Sequence, residues 1–280
     1  MKSIFFSFLF CITLLSSASL SAEVIIKNGE KIGFLGDSIT RQGDEFSCGY
    51  INLVMSALKI NGINAEKIPA GIGGNKAPQM LKRLDRDILK KKPQYMTLNT
   101  GINDVYYGIS LEAYKKTVTQ IVDKAQAAGV KVYILTATMI TEDQKAKNNQ
   151  KLIAYNDFLR QLAKEKNCVL VDLNTEMQKI VASVKKKYPQ YKGKCTATFD
   201  GVHLSPIGHI MVARALLKAF GLTEEQIAKC DADWNKRMFH FRNLIYLTVH
   251  EYKQLSEIAY TAGTDVPTYI KKLIRDEIRK

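Results

Sequence analysis

The sequence predicts an α/β protein with a three-layer α/β/α arrangement, in which helices cover both faces of a five-stranded parallel sheet. Five short β-type runs recur along the chain with helix-type stretches between them. Alternation of this kind is typical of parallel sheets. The composition, 46% apolar and 24% charged over 280 residues, is that of an ordinary globular protein with a sizeable core.

The predicted strands and helices follow one another in order along the chain. The strands are Lys31–Gly36, Ile63–Ile68, Tyr95–Thr100, Lys131–Thr136 and Cys168–Leu173. The segments between them carry apolar residues three and four positions apart, which predicts the amphipathic helices Ser47–Ile60, Ala77–Lys91, Leu111–Ala128 and Asn149–Lys166. A further helix begins after Ser205-Pro206, because Ser is a good N-cap and Pro suits the first helical position. Together these elements predict one domain over residues 23–222.

Residues 223–280 are predicted to form a helical C-terminal extension, because strands no longer alternate with helices there. Its charges nearly cancel, with 10 Lys and Arg against 9 Asp and Glu. The run from Ile245 to Ile274 faintly resembles the strand-helix-helix pattern of ribbon-helix-helix DNA-binding proteins. Phosphate contacts need a surplus of cations, so we expect no nucleic-acid partner. The extension is expected to pack on the domain or to join copies of the chain in a homo-oligomer.

The first 22 residues have the pattern of a cleaved signal peptide. A positive start, Met1-Lys2, precedes an apolar run from Ile4 to Leu15 and a segment rich in small residues that ends at Ala22. The alternative is a membrane anchor, but the apolar run is shorter than the roughly 20 residues that span a bilayer. We therefore expect a secreted or periplasmic protein without stable membrane insertion.

The chain is strongly basic, with 41 Lys and Arg against 27 Asp and Glu and a formal net charge of +14. The excess lies in residues 23–222, which hold 30 basic and 18 acidic side chains. Charge of this sign admits nucleic acid, an anionic polysaccharide or an anionic membrane as a partner, and it does not choose among them.

Four cysteines remain once the signal peptide is removed: Cys48, Cys168, Cys195 and Cys230. An even number in an oxidising compartment permits two disulfides, and four buried thiols are the alternative. None of the four stands in a CxxC pair or beside a His at ligand spacing, so no metal site is predicted.

A candidate nucleophile follows the first strand, in the run Gly36-Asp37-Ser38-Ile39-Thr40. Loops at the carboxyl ends of parallel strands converge at the ligand site, which is where Ser38 stands. A serine nucleophile needs a base and a group that orients the base. Asp200 and His203 lie three residues apart on one loop and can supply both. The remaining histidines are His209, inside the next helix, and His240 and His250, in the extension.

Two further loops can donate hydrogen bonds to an oxyanion. They are Gly71-Ile-Gly-Gly-Asn75, after the second strand, and Gly101-Ile-Asn-Asp104, after the third. Glycine lets a backbone N–H approach a ligand closely, and an Asn side chain offers an N–H donor without adding charge. Either loop alone is equally typical of an ordinary turn.

Together these four segments resemble the SGNH, or GDSL, hydrolase family in both residues and order, over roughly Lys31 to Leu222. The resemblance implies that family's flavodoxin-like fold. It implies that Ser38 is the nucleophile, with Asp200 and His203 as its partners in a triad. It also implies an oxyanion hole made by the N–H groups of Ser38 and Gly74 and by the side chain of Asn103. The reaction implied is ester hydrolysis through an acyl-enzyme, which needs no metal ion and no organic cofactor.

The family includes carbohydrate O-acetylesterases, lysophospholipases, thioesterases and arylesterases, so the triad does not name the substrate. Three features favour removal of small acyl groups from carbohydrate: the export pattern, the lack of a long apolar segment near the motifs, and the likeness of Gly71 through Asp104 to secreted bacterial polysaccharide deacetylases. One alternative is a lysophospholipase- or thioesterase-type lipid acyl hydrolase. Another is a non-catalytic glycan-binding module, although a binding module has no need for a nucleophile, a base and an oxyanion donor together.

Overall fold

The computed structural model describes residues 24–190, 195–241 and 245–279. Its main sheet has five parallel strands: β1 Lys31–Gly36, β2 Glu66–Gly71, β3 Tyr95–Asn99, β4 Lys131–Leu135 and β5 Val169–Val171. They lie in the order β2-β1-β3-β4-β5. The predicted α/β class and five-stranded parallel sheet are confirmed. The signal peptide expected at residues 1–22 lies outside the described residues.

Helices connect the strands and form two groups that pack among themselves, one for each face of the sheet. In chain order they are α1 Ser38–Glu45, α2 Tyr50–Ile60, α3 Ala77–Asp87, α4 Ile102–Tyr106, α5 Leu111–Ala127, α6 Lys147–Glu165, α7 Leu173–Lys187 and α8 Pro206–Ala219. One group contains α1, α2, α7 and α8, and the other contains α3, α5 and α6. The central strands β1 and β3 are buried almost throughout, because both faces of a doubly covered sheet are shielded from water.

Two strand predictions need correction. The second strand begins at Glu66 and runs through Pro69 to Gly71, three residues later than predicted. Pro69 is tolerated because β2 is an edge strand, so the missing N–H does not remove a hydrogen bond to a neighbouring strand. The fifth strand ends at Val171, since the side chain of Asp172 accepts a hydrogen bond from the backbone N–H of Thr175 and caps α7 instead.

The C-terminal extension is mainly helical, as predicted, and it also holds a short hairpin that the prediction did not include. It contains the helices α9 Glu224–Ala228, α10 Asp231–Trp234, α11 Val249–Thr261 and α12 Val266–Ile278, and also the strands β6 Met238–Phe241 and β7 Ile245–Thr248. These two strands pair with each other in an antiparallel hairpin and do not join the main sheet. The strand prediction relied on strands that alternate with helices. Two consecutive strands in a hairpin do not give that pattern, so the hairpin was not predicted.

The extension packs against the domain at two places. Trp234 is fully buried in the main hydrophobic core, and its indole Nε1 donates to Ser56 Oγ at 3.3 Å. A second cluster of buried side chains joins the extension to the loop between α1 and α2. Its members are Cys48, Phe239, Val249, Tyr252, Ala259, Val266 and Ile270.

Three further expectations concern disulfides, membrane insertion and association of copies of the chain. Cys48, Cys168 and Cys230 are free thiols, and burial raises the pKa of each. No disulfide joins these three cysteines in the described part of the chain. Within the described ranges, no helix has the length and apolar character needed to cross a membrane. Apolar side chains of α12 such as Ile278 remain exposed, and association of copies through the C-terminal helices stays a prediction.

If the extension and the domain form one cooperative unit, removing Trp234 destabilises the whole chain. We expect Trp234→Ala to lower the free energy of unfolding by about 3–5 kcal/mol, because it deletes a large buried side chain from the main core. Denaturant titration followed by circular dichroism measures this. The control is Ile258→Ala, at a side chain that is 51% exposed, with an expected change within about 0.5 kcal/mol. A Trp234→Ala midpoint equal to that of the control would show that the extension folds separately.

Candidate active site

Ser38 lies where the chain leaves β1 and begins α1. The turn needs glycine at position 36, since a Cβ there would lie 2.0 Å from Thr40 Oγ1. Asp37 caps the helix, its Oδ1 accepting from the backbone N–H of Ile39 at 2.9 Å. As the first residue of α1, Ser38 has a backbone N–H without an intrahelical acceptor, at the positive end of the helix dipole. The position favours an anion beside the Ser38 hydroxyl.

The structure brings Ser38, His203 and Asp200 into one hydrogen-bonded chain. The distance between His203 Nε2 and Ser38 Oγ is 3.0 Å, and that between His203 Nδ1 and Asp200 Oδ2 is 2.7 Å. The other Asp200 oxygen accepts from the backbone N–H groups of Val202 and His203, at 3.0 and 2.8 Å. The carboxylate therefore fixes the imidazole with Nε2 facing the hydroxyl, as the spacing of the two residues predicted.

The same contacts set the charges of this pair. The hydrogen bond that the ring donates to Asp200 raises the pKa of His203 above its ordinary 6.5, and burial of the ring opposes this only in part. Burial raises the pKa of Asp200, but the hydrogen bonds from the His203 ring and from two backbone N–H groups prevail and hold it at about 2. Asp200 is consequently ionised at neutral pH and stabilises a proton on the imidazole.

The loop that carries Asp200 and His203 is closed by short backbone contacts. A β-bridge joins Thr198 to Leu204, and the backbone N–H of Phe199 donates to the carbonyl of His203 at 2.8 Å. Gly201, with φ of +93°, forms the tip, and a Cβ there would lie 2.7 Å from Thr141 Cα. Only glycine fits this conformation and this close approach.

Glu142, which the sequence analysis did not single out, holds this loop in place. Its buried carboxylate accepts from the backbone N–H groups of three successive residues, Thr196, Ala197 and Thr198, at 2.7–2.9 Å. It also accepts from the hydroxyls of Thr196 and Thr198, at 2.7 and 2.8 Å. The loop and the carboxylate lie more than 50 residues apart in sequence, so no local pattern could have indicated the contact.

The two predicted oxyanion donors outside α1 lie on neighbouring loops. Gly74 has φ of +73° in the exposed turn after β2, and its N–H donates no backbone hydrogen bond within the described residues. Asn103 lies at the start of α4, where its Nδ2 donates to Asp37 Oδ2 at 3.2 Å and to the carbonyl of Asn75 at 3.1 Å. The amide of Asn103 therefore links the loops after β1, β2 and β3, and it gives up or shares one of these bonds when it donates to a ligand.

Two buried side chains, Arg83 and Asp104, hold these loops in place through hydrogen bonds, and the sequence analysis predicted a role for neither of them. Arg83 of α3 donates to the Gly36 carbonyl at 2.8 Å and, through Nε, to Asn75 Oδ1 at 2.8 Å. Asp104 accepts from the backbone N–H of Ala77 at 2.9 Å and from the hydroxyl of Thr100 at 3.0 Å. Burial raises the pKa of Asp104 and, to about 6, that of Asp37.

This arrangement has the chemical requirements of nucleophilic catalysis: a hydroxyl bonded to an imidazole, a carboxylate that orients the imidazole, and N–H donors on adjacent loops. No group of three or more His, Cys, Asp and Glu side chains in the described parts of the chain could hold a metal ion.

Comparisons with known proteins point to the same chemistry. The model of the GDSL-like lipase/acylhydrolase family matches residues 34–210. The acetylxylan esterase of Geobacillus stearothermophilus is 25% identical over 218 residues, which cover 70% of this chain and 96% of that protein. Esterase TesA of Pseudomonas aeruginosa is 28% identical over 102 residues, 36% of this chain and 51% of that one.

Two solved structures of acetylxylan esterases have the same fold. The acetyl xylan esterase AlAXEase superposes with a TM-score of 0.63 at 34% identity, covering 68% of this chain and 98% of that one. Axe2 from Geobacillus stearothermophilus superposes with a TM-score of 0.62 at 25% identity, covering 71% of this chain and 97% of that one.

Replacing Glu142 tests how far the site depends on this buried anchor. We expect Glu142→Ala to lower the free energy of unfolding by about 3 kcal/mol, because it leaves three buried N–H groups and two hydroxyls without their acceptor. Turnover should fall about a hundredfold, since His203 shifts relative to Ser38. The control is Asp143→Asn, at the exposed carboxylate next in sequence. Equal melting temperatures and turnover for the two variants would contradict the anchoring role.

Proposed function

The chain belongs to the GDSL-like lipase/acylhydrolase family, and within it we propose a serine O-acetylesterase that removes acetyl groups from carbohydrate, with acetylated xylan chains as the substrate class. The observation that carries the proposal is the position of His203, whose two ring nitrogens bond Ser38 Oγ at 3.0 Å and Asp200 at 2.7 Å. Carboxylic ester hydrolysis is the activity of the family. The acetyl group and the carbohydrate are the proposed parts.

In the proposed acylation step, Ser38 Oγ attacks the acetyl carbonyl carbon while His203 Nε2 takes the hydroxyl proton. The charge that develops on the carbonyl oxygen is stabilised by the N–H groups of Ser38 and Gly74 and by the amide of Asn103. His203 then protonates the sugar oxygen, the ester C–O bond breaks, and the acetyl group stays on Ser38.

In the proposed deacylation step, water replaces the sugar alcohol. His203 removes a proton from the water, whose oxygen attacks the acetyl carbon, and then returns the proton to Ser38 Oγ as acetate leaves. Asp200, ionised throughout, stabilises the imidazolium formed in both steps. The same three donors bind the oxyanion each time.

The choice of a carbohydrate acetate is supported by the named activity of the relatives. Two acetylxylan esterases match this chain at 25% and 34% identity, and the match covers nearly all of each. The signal-peptide pattern of residues 1–22 is consistent with an enzyme that meets polysaccharide outside the cytoplasm, and export is part of the proposal.

A lipid acyl hydrolase is the second candidate, because of the partial similarity to esterase TesA. That match covers about half of the esterase, whereas the acetylxylan esterases are matched over almost their whole length. The two candidates differ in the length of acyl chain that the site accepts, which an assay can measure.

The first experiment measures hydrolysis of nitrophenyl esters, from acetate to long acyl chains, by protein beginning at Glu23. We expect the highest kcat/KM for acetate, and activity on acetylated xylan. Ser38→Ala, the control, is expected to lose at least a thousandfold in turnover, because the nucleophile is gone. A preference for long chains would move the assignment to a lipid or thioester substrate. Full activity of Ser38→Ala would contradict the nucleophile assignment, and no activity of the wild type would favour a glycan-binding module.

The pH dependence of kcat/KM tests the assigned base. His203 accepts a proton only when neutral, so activity falls as pH drops through its pKa, which Asp200 raises above 6.5. Asp200→Asn removes the carboxylate that raises the pKa of His203. We therefore expect the acid limb of the kcat/KM profile to move to lower pH, while kcat falls about a thousandfold or more. If the acid limb stays in place, a group other than His203 causes it. Asp37, whose pKa is about 6, is then the first group to examine.

A further inference from the structure

Two neighbouring tyrosines beside the active site are exposed to an unusual degree. Tyr106 is 64% and Tyr107 is 60% exposed, and they are the only aromatic side chains among the large exposed hydrophobic residues of the described chain. Neither hydroxyl has a hydrogen-bond partner among the described residues. Exposed aromatic rings that serve no packing role commonly mark a binding surface.

The short helix α4 places these rings next to a proposed oxyanion donor. Its inner side carries the buried residues Ile102, Asp104 and Val105. Asn103 lies on the other side, and Tyr106 and Tyr107 follow it by three and four positions, so the three side chains are neighbours on one face. The backbone N–H of Tyr107 donates to the carbonyl of Asn103 at 2.9 Å, which ties this aromatic pair to the residue that contacts the reacting ester.

The pair is held in a defined arrangement. The ring centroids of Tyr106 and Tyr107 lie 5.2 Å apart with an interplanar angle of 79°, the edge-to-face geometry that aromatic pairs prefer. Lys76, on the loop that carries Gly74, places its ammonium 4.8 Å from the centroid of Tyr107. Tyr107 therefore contacts both Tyr106 and Lys76, whereas Tyr106 has one ring contact, with Tyr107, among the described residues.

We propose that Tyr106 is a specificity-determining residue, on which a sugar ring of the acetylated chain stacks while the acetyl group enters the site at Ser38. The inference rests on the carbohydrate-ester function proposed above. The apolar C–H face of a pyranose suits an aromatic ring, and the free phenol hydroxyls suit sugar hydroxyls. Tyr107, braced by Lys76, supports Tyr106 from the side.

A sugar platform of this kind contributes binding energy remote from the reacting bond. Its loss raises KM more than it lowers kcat when the contact is equally strong in the ground state and the transition state. The contact matters for a substrate that carries a sugar chain and has little effect on a minimal acetate ester, which has no sugar ring to stack on Tyr106.

The test compares acetylated xylotetraose with ethyl acetate, using acetate release in a pH-stat. We expect Tyr106→Ala to raise KM for acetylated xylotetraose about fivefold to tenfold, so that the ratio of its kcat/KM to that for ethyl acetate falls by a similar factor. Tyr106→Phe keeps the ring and is expected to keep most of this ratio. The control is Ile60→Ala, at a 45% exposed side chain where α2 ends, with no change in the ratio.

Calorimetric titration with unacetylated xylotetraose gives a second readout that is independent of catalysis. The dissociation constant should rise in Tyr106→Ala by about the factor seen in KM. An unchanged KM and dissociation constant in Tyr106→Ala would overturn the stacking role. A wild-type enzyme that hydrolyses ethyl acetate but neither deacetylates nor binds the xylotetraose chain would instead overturn the carbohydrate function, and the platform with it.

Discussion

The geometry of the site depends on one buried carboxylate. Ser38, Gly74 and Asn103 each follow a strand of the sheet and are placed by it, whereas Asp200 and His203 follow no strand. Their loop is fixed because Glu142, two residues beyond the buried run that follows β4, binds three successive backbone N–H groups just before it. Hydrogen bonds of this kind are strong at low dielectric, and buried donors that lose them cannot turn to water instead. The loop that carries Asp200 and His203 is thereby held in place without a strand of its own.

The loops after β1, β2 and β3 are linked to one another in a similar way, by hydrogen bonds between polar groups of different elements. Asn103 donates to Asp37 and to the Asn75 carbonyl, and Arg83 connects Asn75 to the Gly36 carbonyl. Loops joined in this way are preorganised, so little reorganisation is needed as charge develops. Asp37 adds an electrostatic effect, because its charge raises the pKa of His203 as Asp200 does. Two carboxylates therefore favour the protonated form of the His203 ring.

Local patterns predicted the parts of the fold that local chemistry decides. The first strand, Lys31–Gly36, has the predicted bounds, and Ser205 caps α8 as its sequence context indicates. The second strand was misplaced because Pro69 disfavours a strand unless that strand lies at an edge, and edge position is a property of the whole sheet. The hydrogen-bonded chain of Ser38, His203 and Asp200 agrees with its sequence signature. The roles of Glu142 and Arg83 could not be predicted, because each binds backbone atoms far away in sequence, which carry no signature.

The C-terminal extension reaches the site through aromatic packing. Phe199, the residue before Asp200, stacks on Phe239 of the hairpin with centroids 5.0 Å apart and an interplanar angle of 18°. Phe239 also meets Phe46, the residue at the C-terminal end of α1, at 6.0 Å. One side chain of the extension thus contacts both the end of the helix that begins at Ser38 and the residue that precedes Asp200. Since the family match ends at residue 210, Phe239 braces these two segments from outside the matched residues. Its packing against both of them helps to set the distance between Ser38 and Asp200.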